Sequence, residues 1–403
     1  MTVRNTRLRT AREQAGLTRD ELAELVNAHV WNIHGRQVEI DANYVGKLER
    51  GVICWPSEDY REALRAVFRA AEDGELGFRN TRKAERPAGI AVTSWDIAQI
   101  GKTAEMFTEL QHTYGGWSMR ELVTAGMRQA EHLLQASCPD DLRASLHHAV
   151  AQLAHTTGFS AFDAGEHDVA RRYFDFALRC AEESGDWHIR AYVLSSLARQ
   201  ATWSGDADAG LTFAERGLVR ADRLTATERA MLHAARARAF AAMRDVQGTI
   251  DAVGVADEHF ERSSPAEDQP WMAYYDRAQH CGDTGAALVE LALRGDRVDE
   301  ARERISTAVA GHGENRARSR LLARLLLARL AMAEGEVAEA VTIGSDVLGV
   351  FDSVRSRRVV DQLLLLDELA AEWQHVPAVQ RFRGQVYAAR PPQCRRAIDQ
   401  RTA

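Results

Sequence analysis

Lysine is almost absent from this chain: Lys47, Lys83 and Lys102 are the only three among 51 basic residues. The five cysteines are scattered without a CxxC pair, which argues against a disulfide framework or a zinc finger. Proline is scarce as well, with eight residues in 403, whereas alanine, leucine and arginine abound. Such a composition favours helix, and the length predicts two or three domains.

Long apolar segments and catalytic motifs are also missing. The start of the chain lacks the apolar core of a signal peptide. The most apolar stretch, residues 321–333, is interrupted by Arg324 and Arg329, so we expect no membrane span. No nucleophile, metal or phosphate-loop motif stands out. We therefore expect a cytoplasmic protein that is not an enzyme and that holds no cofactor or metal.

The charge is unevenly distributed along the chain. The net charge is −7, but residues 1–86 contain 15 basic and 14 acidic residues. The remaining residues contain 36 basic and 44 acidic side chains. A slightly basic head on an acidic body fits a DNA-binding module joined to a larger sensing or assembly module.

The N-terminal region predicts two successive helices. Residues 4–15 have helical spacing and end at Gly16, and Thr18 and Glu21 then form a capping box that opens a second helix. This second helix carries Leu22 and Val26 on its apolar side. The two helices can form part of a small helical bundle.

Residues 41–51 predict a third, short helix. Asp41 is a good N-cap, and Gly51 suits the left-handed position beyond the last turn. Val45 and Leu48 form one apolar edge for burial. Short side chains and a cation lie opposite this edge, as a helix in a DNA major groove requires: Ala42, Asn43 and Lys47.

Residues 11–25 read Ala-Arg-Glu-Gln-Ala-Gly-Leu-Thr-Arg-Asp-Glu-Leu-Ala-Glu-Leu, and residues 48–51 read Leu-Glu-Arg-Gly. These two segments resemble the Cro and phage-repressor class of helix-turn-helix proteins, the XRE family. The resemblance implies that Ala42, Asn43 and Lys47 contact bases. It also implies phosphate contacts by four further residues: Thr18, Arg19, Tyr44 and Arg50. For Tyr44 the alternative is core packing, and for Arg50 it is an ion pair within the domain.

Residues 28–40 depart from this family, which usually passes from its second to its third helix in about four residues. Apolar residues alternate on both sides of His34 and Gly35, which predicts a small β-hairpin or an extended loop. One interpretation is a wing whose Arg36 and Gln37 contact phosphates or a groove. The other is an insertion that packs Trp31 against the domain.

Composition then divides the chain. A helix that begins after Ser57, followed by Leu76 and Phe78 closing the underside, completes a DNA-binding domain at residues 1–78. Residues 79–94 contain mixed charge with Pro87 and Gly89 and predict a linker. We expect an α-helical body at 95–390 and a C-terminal tail at 391–403.

The body contains a degenerate repeat with turns near residues 165, 205, 244, 296 and 335. Residues 162–178 place Gly165, Ala170, Phe174 and Ala177 as in the tetratricopeptide (TPR) helix-turn-helix, which this unit resembles. The longer third interval fits an insertion at residues 263–276, where prolines break helices. Stacked units of this kind imply an α-solenoid with a concave surface. The expected fold class is therefore all-α: a helix-turn-helix bundle, with a possible β-hairpin insertion, followed by a TPR-like α-solenoid.

The body also contains candidate ligand-binding residues. Arginines on the first helices of the repeats suit a carboxylate, a phosphate or a peptide terminus, and residues 271–283 are rich in polar and aromatic side chains. Exposed ion pairs and structural packing are the alternatives, and His147, His148 and His155 lack the partners of a metal site. The candidates are Arg190, Trp203, Arg236, Arg238, Tyr274 and Asp276.

A helix-turn-helix head joined to a TPR body resembles actinobacterial regulators and, more distantly, the peptide-sensing quorum regulators of Gram-positive bacteria. The resemblance implies a homodimeric transcription regulator that binds a palindromic double-stranded DNA operator. A peptide or small-molecule effector would bind the body. The alternative is a TPR scaffold whose head regulates through partner proteins.

Overall fold

The structure, a computed structural model, describes residues 4–78 and 91–389. All regular structure in these two ranges is helical, and neither contains a strand, which confirms the all-α prediction. The chain divides into two compact units, Met1–Ile90 and Ala91–Ala403. Most of the predicted linker and the whole predicted tail lie outside the described residues. No helix in the described ranges is long and apolar enough to cross a membrane.

The N-terminal unit contains four helices around one apolar core. Their bounds are α1 Thr6–Gln14, α2 Arg19–His34, α3 Ala42–Glu49 and α4 Glu58–Phe68. The helix α2 packs against both α3 and α4, and α1 packs against α3. Leu22, Val45, Leu48 and Leu64 are fully buried between them. Leu76 and Phe78 are buried as well and join this core, as the sequence predicts.

The predicted helix caps are present in the N-terminal unit. Thr18 and Glu21 form the capping box at the start of α2. The Asp41 carboxylate accepts a hydrogen bond from the Tyr44 amide at 2.7 Å, which caps α3. Gly51 takes the left-handed conformation, with φ of 71°. These local signals therefore set where α2 and α3 begin and where α3 ends.

The hairpin predicted at residues 28–40 is wrong, and the alternative of an extended loop holds only for residues 35–40. Helix α2 continues to His34, because Val26 and Val30, four residues apart, bury one helical face. The return segment is held by Asn27, whose side chain donates to the Ile40 carbonyl at 2.9 Å and accepts from its amide at 3.0 Å. Trp31 is 56% exposed, so the alternative in which it packs against the domain is wrong too.

The second unit is a succession of longer helices. The first seven are α5 Ser94–Tyr114, α6 Gly116–Gln135, α7 Asp140–Asp163, α8 His167–Ser184, α9 Trp187–Trp203, α10 Ala207–Leu218 and α11 Ala226–Met243. The next seven are α12 Val246–Glu261, α13 Arg277–Ala292, α14 Val298–Gly311, α15 Ala317–Ala333, α16 Val337–Gly349, α17 Arg357–Ala370 and α18 Pro377–Ala389. The strongest packing is between consecutive helices such as α7 and α8 or α11 and α12.

The five predicted helix pairs are joined by short turns that contain at least one left-handed residue. These residues are Gly165, Gly205, Arg244, Gly295 with Arg297, and Gly335, with φ between 58° and 89°. They lie at or next to the turn positions predicted from the sequence. The predicted interruption at 263–276 contains no α-helix, only turns and a short 3-10 helix at Pro270–Tyr274.

Helices far apart in the chain meet at the start of this unit. Helix α5 packs against α7, but also against α15 and the turn that precedes it. The Arg318 guanidinium of α15 donates to the Gln111 carbonyl of α5 at 3.3 Å. At the end of α5, the Tyr114 carbonyl accepts a hydrogen bond from the Arg355 amide at 3.1 Å. Helix α15 and the segment before α17 therefore contact α5, the first helix of this unit.

Asp163, at the end of α7, lies at the centre of this contact. Its buried carboxylate accepts hydrogen bonds from the Gly116 amide and the Ser356 hydroxyl, both at 2.8 Å. The Arg318 guanidinium lies 3.7 Å away. Residue 116 must be glycine, because a Cβ atom there would lie 2.4 Å from the Ser160 carbonyl oxygen. One carboxylate thus joins α6, α7, α15 and the start of α17.

Replacing Arg244 by glycine should stabilise the protein. Arg244 is exposed and has φ of 66°, a conformation that costs a non-glycine residue roughly 1 kcal/mol. Urea unfolding of Arg244→Gly should therefore show a free energy of unfolding about 1 kcal/mol higher than that of the parent chain. The matched control is Arg262→Gly, at an exposed position that also follows a helix but has φ of −93°. An equal gain in both variants would contradict the explanation.

Candidate functional sites

The first candidate site is the outer side of α3. Asn43 and Lys47, one turn apart, are exposed, and Ala42 is half-buried beside them. Val45 and Leu48 are fully buried on the opposite side. The three residues predicted to contact bases therefore lie together near one exposed helix face, with the apolar edge turned into the core.

A buried ion-pair triad fixes how α3 sits on its neighbours. Glu49 at the end of α3 is 4% exposed, and its carboxylate lies 2.6 Å from the Arg12 guanidinium and 2.7 Å from that of Arg19. Burial alone would raise the pKa of Glu49, but hydrogen bonds and charge from these two arginines outweigh it and hold the pKa below its ordinary value. The carboxylate thereby ties α3 to both α1 and α2. Sequence reasoning missed this role, although an acidic residue next to buried Leu48 was the available signal.

The predicted phosphate contacts near α3 have mixed surroundings. The Thr18 hydroxyl is exposed but bonds to Glu21 at 2.8 Å, and Arg19 is partly exposed while paired with Glu49. Tyr44 is half-buried with its ring edge-on to Tyr60 at 5.6 Å, as the core-packing alternative expects.

Arg50 differs from these residues because it has no ion pair within the described ranges. Its side chain is exposed and folds back over the helix, so that a Cβ atom on Gly46 would lie 2.9 Å from the guanidinium. Gly46 therefore makes room for a free cation at the end of α3. The alternative of an ion pair within the domain does not hold for the described residues.

Arg36 and Gln37 lie in the segment between α2 and α3, not on a hairpin. Both are exposed, and the Arg36 guanidinium pairs with Asp59 of α4. His34 also contacts α4, with its Nε2 atom 3.1 Å from a Glu62 carboxylate oxygen. The segment is thus attached to α4, and Gln37 and Glu39 are its exposed polar side chains for which the described residues offer no partner.

The second candidate site is a cavity of about 500 Å³ within the second unit. Its walls come from α5, α7, α9, α11, α13, α15 and α17, together with Tyr274 and His312. Each predicted repeat contributes through its first helix. Because α5 closes against α15, the cavity is bounded by both ends of the helical array.

Three of the predicted ligand-binding residues line this cavity: Trp203, Arg238 and Tyr274. The other three are engaged elsewhere. Arg190 donates to the Arg216 carbonyl at 3.0 Å, and Arg236 lies 3.8 Å from Glu215. The Asp276 carboxylate accepts from the Gln279 amide at 2.9 Å and caps α13. These three side chains do not line the cavity.

The cavity carries more positive than negative charge. Its lining includes five arginines and three carboxylates: Arg199, Arg238, Arg318, Arg329 and Arg358, and Asp283, Glu290 and Asp361. Of these eight, sequence reasoning named Arg238 alone. The sequence does not show which face of each helix lines the cavity, and arginines occur on every side of these helices.

Most of these charges are paired. The Asp283 carboxylate lies 2.6 Å from Arg199 and 3.5 Å from Arg238, and the Arg329 guanidinium lies 3.2 Å from Glu290. Burial alone would raise the pKa of Asp283, but the charges of the two arginines outweigh it and hold the pKa below its ordinary value. Two arginines therefore share one carboxylate, which leaves one positive charge in surplus there.

Burial lowers the pKa of the histidines that line the cavity, His112, His155 and His312. Burial lowers the pKa of His155 to about 3, and its Nε2 atom lies 2.8 Å from the Ser196 hydroxyl. Burial and the nearby charge of Arg318 lower the pKa of His112 well below its ordinary value. His148 lies 3.0 Å from Asp186, outside the lining. Within residues 4–78 and 91–389 no group of three His, Cys, Asp or Glu residues could hold a metal ion.

Replacing Glu49 by alanine should destabilise the N-terminal unit by about 3 kcal/mol, because it leaves two arginines without their buried partner. Hydrogen exchange of the α1–α3 amides in the full chain measures this loss. The folded-state pKa of Glu49 is lowered, so its contribution is present above the unfolded value of about 4.3 and is lost as the pH falls below it. The difference between parent and variant should therefore shrink in acid.

The control is Glu13→Ala, which removes an exposed carboxylate paired with Arg9 on the same unit. Its effect should stay below about 1 kcal/mol. Equal protection in Glu49→Ala and Glu13→Ala would show that the triad does not hold α3 in place.

Models of known protein families give no match to this chain. A comparison with curated proteins likewise gives no match. The function therefore has to be inferred from the residues and their geometry.

Proposed function

We propose that the protein is a sequence-specific DNA-binding transcription regulator whose body binds an effector. The observation that carries the proposal is the exposed side of α3, where Asn43, Lys47 and Ala42 lie together at the surface. Asparagine can pair with adenine through two hydrogen bonds, lysine donates to guanine, and alanine packs on a thymine methyl group. One short helix thus offers three kinds of base contact on one side.

The arrangement around α3 supports this role. A helix that reads bases has to be held rigidly by the rest of its unit, since small displacements remove hydrogen bonds with bases. Glu49 supplies this support through Arg12 and Arg19. Arg50, for which the described residues offer no ion pair, and Arg19 at the start of α2 both lie at the C-terminal end of α3 and are candidates for phosphate contacts.

The proposal includes the finer fold classes. The N-terminal unit would be an XRE-type helix-turn-helix bundle, which the motifs at 11–25 and 48–51 favour. The second unit would be a TPR-like α-solenoid, which is supported by five helix pairs with left-handed turns near the predicted positions. The first helices of these pairs line the cavity, where an effector would bind.

The proposal also includes a homodimer. Residues 1–86 carry 15 basic and 14 acidic residues, so one head attracts DNA only weakly through its charge. Two heads acting together on a palindromic operator would supply the missing affinity. The two half-sites are then expected about one helical turn, or a multiple of it, apart.

The double variant Asn43→Ala/Lys47→Ala should lose specific DNA binding. Each lost base contact is worth roughly 1–3 kcal/mol, so the double variant should bind its operator at least about 30-fold more weakly. Both side chains are exposed, so the fold should be unaffected. The measurement is selection of genomic fragments by the purified protein, followed by affinity titration on the selected fragment.

The control is Asn32→Ala/Lys102→Ala, which removes the same two exposed residue types away from α3. This control should retain the affinity of the parent chain. Unchanged retention of genomic fragments by Asn43→Ala/Lys47→Ala would reject direct readout and favour a scaffold that acts through partner proteins.

A further inference from the structure

Arg358, at the start of α17, is a buried cation to which the described residues offer no hydrogen-bond or ion-pair partner. Its side chain lines the cavity and the residue is only 4% exposed. Within the described ranges its guanidinium makes no hydrogen bond and no ion pair, and its Nε atom is buried and unsatisfied. Its neighbours are aromatic: the guanidinium carbon lies 4.7 Å from the ring centre of Trp203 and 4.8 Å from that of Phe162.

Burial of this cation costs free energy. Contact with aromatic rings stabilises a cation by roughly 0.5–2 kcal/mol, whereas removing a charge from water costs several. Burial lowers the pKa of Arg358 to about 9, with Asp163 opposing the shift and Arg199, Arg318 and Arg238 adding to it. The side chain therefore remains a cation at neutral pH, but one that its surroundings disfavour.

The rest of the lining does not neutralise this charge. Arg329 is paired with Glu290, and Arg318 with Asp163. Arg199 and Arg238 share Asp283, while the third lining carboxylate, Asp361, is paired with Arg357 outside the cavity. Five arginines and three carboxylates leave a formal surplus of two positive charges. The residues after 86 carry a net negative charge, so the surplus in the cavity is opposite in sign to the charge of the body.

We propose that the cavity binds a small organic anion, and that Arg358 pairs with its carboxylate or phosphate group. The proposal specifies the chemical class of the effector, and its biological meaning rests on the proposed function. A carboxylate or phosphate accepts two parallel hydrogen bonds from a guanidinium. No described side chain provides such an acceptor for Arg358. The anion would replace lost hydration and satisfy the cation.

The lining further defines the ligand. Phe159, Tyr192 and Trp203 add apolar and aromatic wall beside Arg358, which favours a planar apolar body over a bare inorganic ion. The second surplus positive charge lies at Arg199 and Arg238, which share the one carboxylate of Asp283. The cavity can therefore accommodate a second negative charge on the ligand. A volume of about 500 Å³ is within the range of small-molecule sites. The ligand class is therefore an aromatic or similarly planar dianion.

The test is thermal unfolding of the full chain, monitored by tryptophan fluorescence. Four probes are compared at equal ionic strength. The probes are phenyl phosphate, phthalate, inorganic phosphate and neutral benzamide. Phenyl phosphate, phthalate or both should raise the unfolding temperature in a saturable manner. Inorganic phosphate should act more weakly, and benzamide should have no effect. A response to only one of the two aromatic dianions identifies the phosphate or the carboxylate as the preferred group.

The variant Arg358→Met should bind the effective probe on the order of 10- to 100-fold more weakly, since a charge-assisted hydrogen bond is lost. Without a probe, its unfolding temperature should be higher than that of the parent chain, because methionine removes an unpaired buried charge. A purely structural cation would give the opposite shift. Arg358→Lys, which keeps the charge but not the planar fork, should bind with intermediate affinity.

The control is Arg381→Met, which removes an exposed arginine of α18 outside the cavity. It should respond to the probes like the parent chain. The proposal is overturned if neither aromatic dianion raises the unfolding temperature, if benzamide acts equally, or if Arg358→Met responds like the parent chain. No DNA is present in these experiments, so their failure is separate from a failure of the proposed DNA binding.

Discussion

The carboxylate of Asp163 accepts hydrogen bonds from Gly116 and Ser356, residues far apart in the chain, and also faces the Arg318 guanidinium. In an open array of helix pairs, each pair contacts only its neighbours, so the ends move independently. Here the contact joins α6 and α7 to α15 and the start of α17. The cavity depends on this junction, because its walls come from both ends of the array. Unfolding of the body is expected to be more cooperative than in an open array, since α6 and α7 cannot separate from α15 and the start of α17 without breaking the junction.

The features that could be predicted from sequence are those set by local chemistry. The capping box of Thr18 and Glu21, the Asp41 cap and the turns at Gly165, Gly205 and Gly335 depend on a few neighbouring residues. The segment 28–40 could not be predicted in this way. Its apolar residues fit an alternating pattern as well as a helical one, and the choice was made by burial of Val30 against the rest of the unit. Tertiary packing decided between two locally acceptable structures.

The cavity shows a different limit of sequence reasoning. A helix turns by about 100° per residue, so Arg190 and Arg199, nine residues apart on α9, point to opposite sides. Arg199 lines the cavity, whereas Arg190 faces Arg216 and Glu182. In the sequence, both residues are arginines on the first helix of a repeat. Only the packing of α9 against its neighbours distinguishes them. Arg358 was missed for a related reason, because its surroundings come from residues more than 150 positions earlier in the chain.

The exposed ammonium group of Lys47 has a chemical consequence. Residues 1–78 contain no other lysine, since the remaining two are Lys83 and Lys102. Acylation of a single side chain would therefore remove the only lysine charge of this region and, with it, the cation that α3 presents beside Asn43. Arginine, which supplies the other positive charges of these residues, does not react with acylating reagents under the same conditions. The surface of α3 is thus open to covalent control at one atom, the Nζ of Lys47.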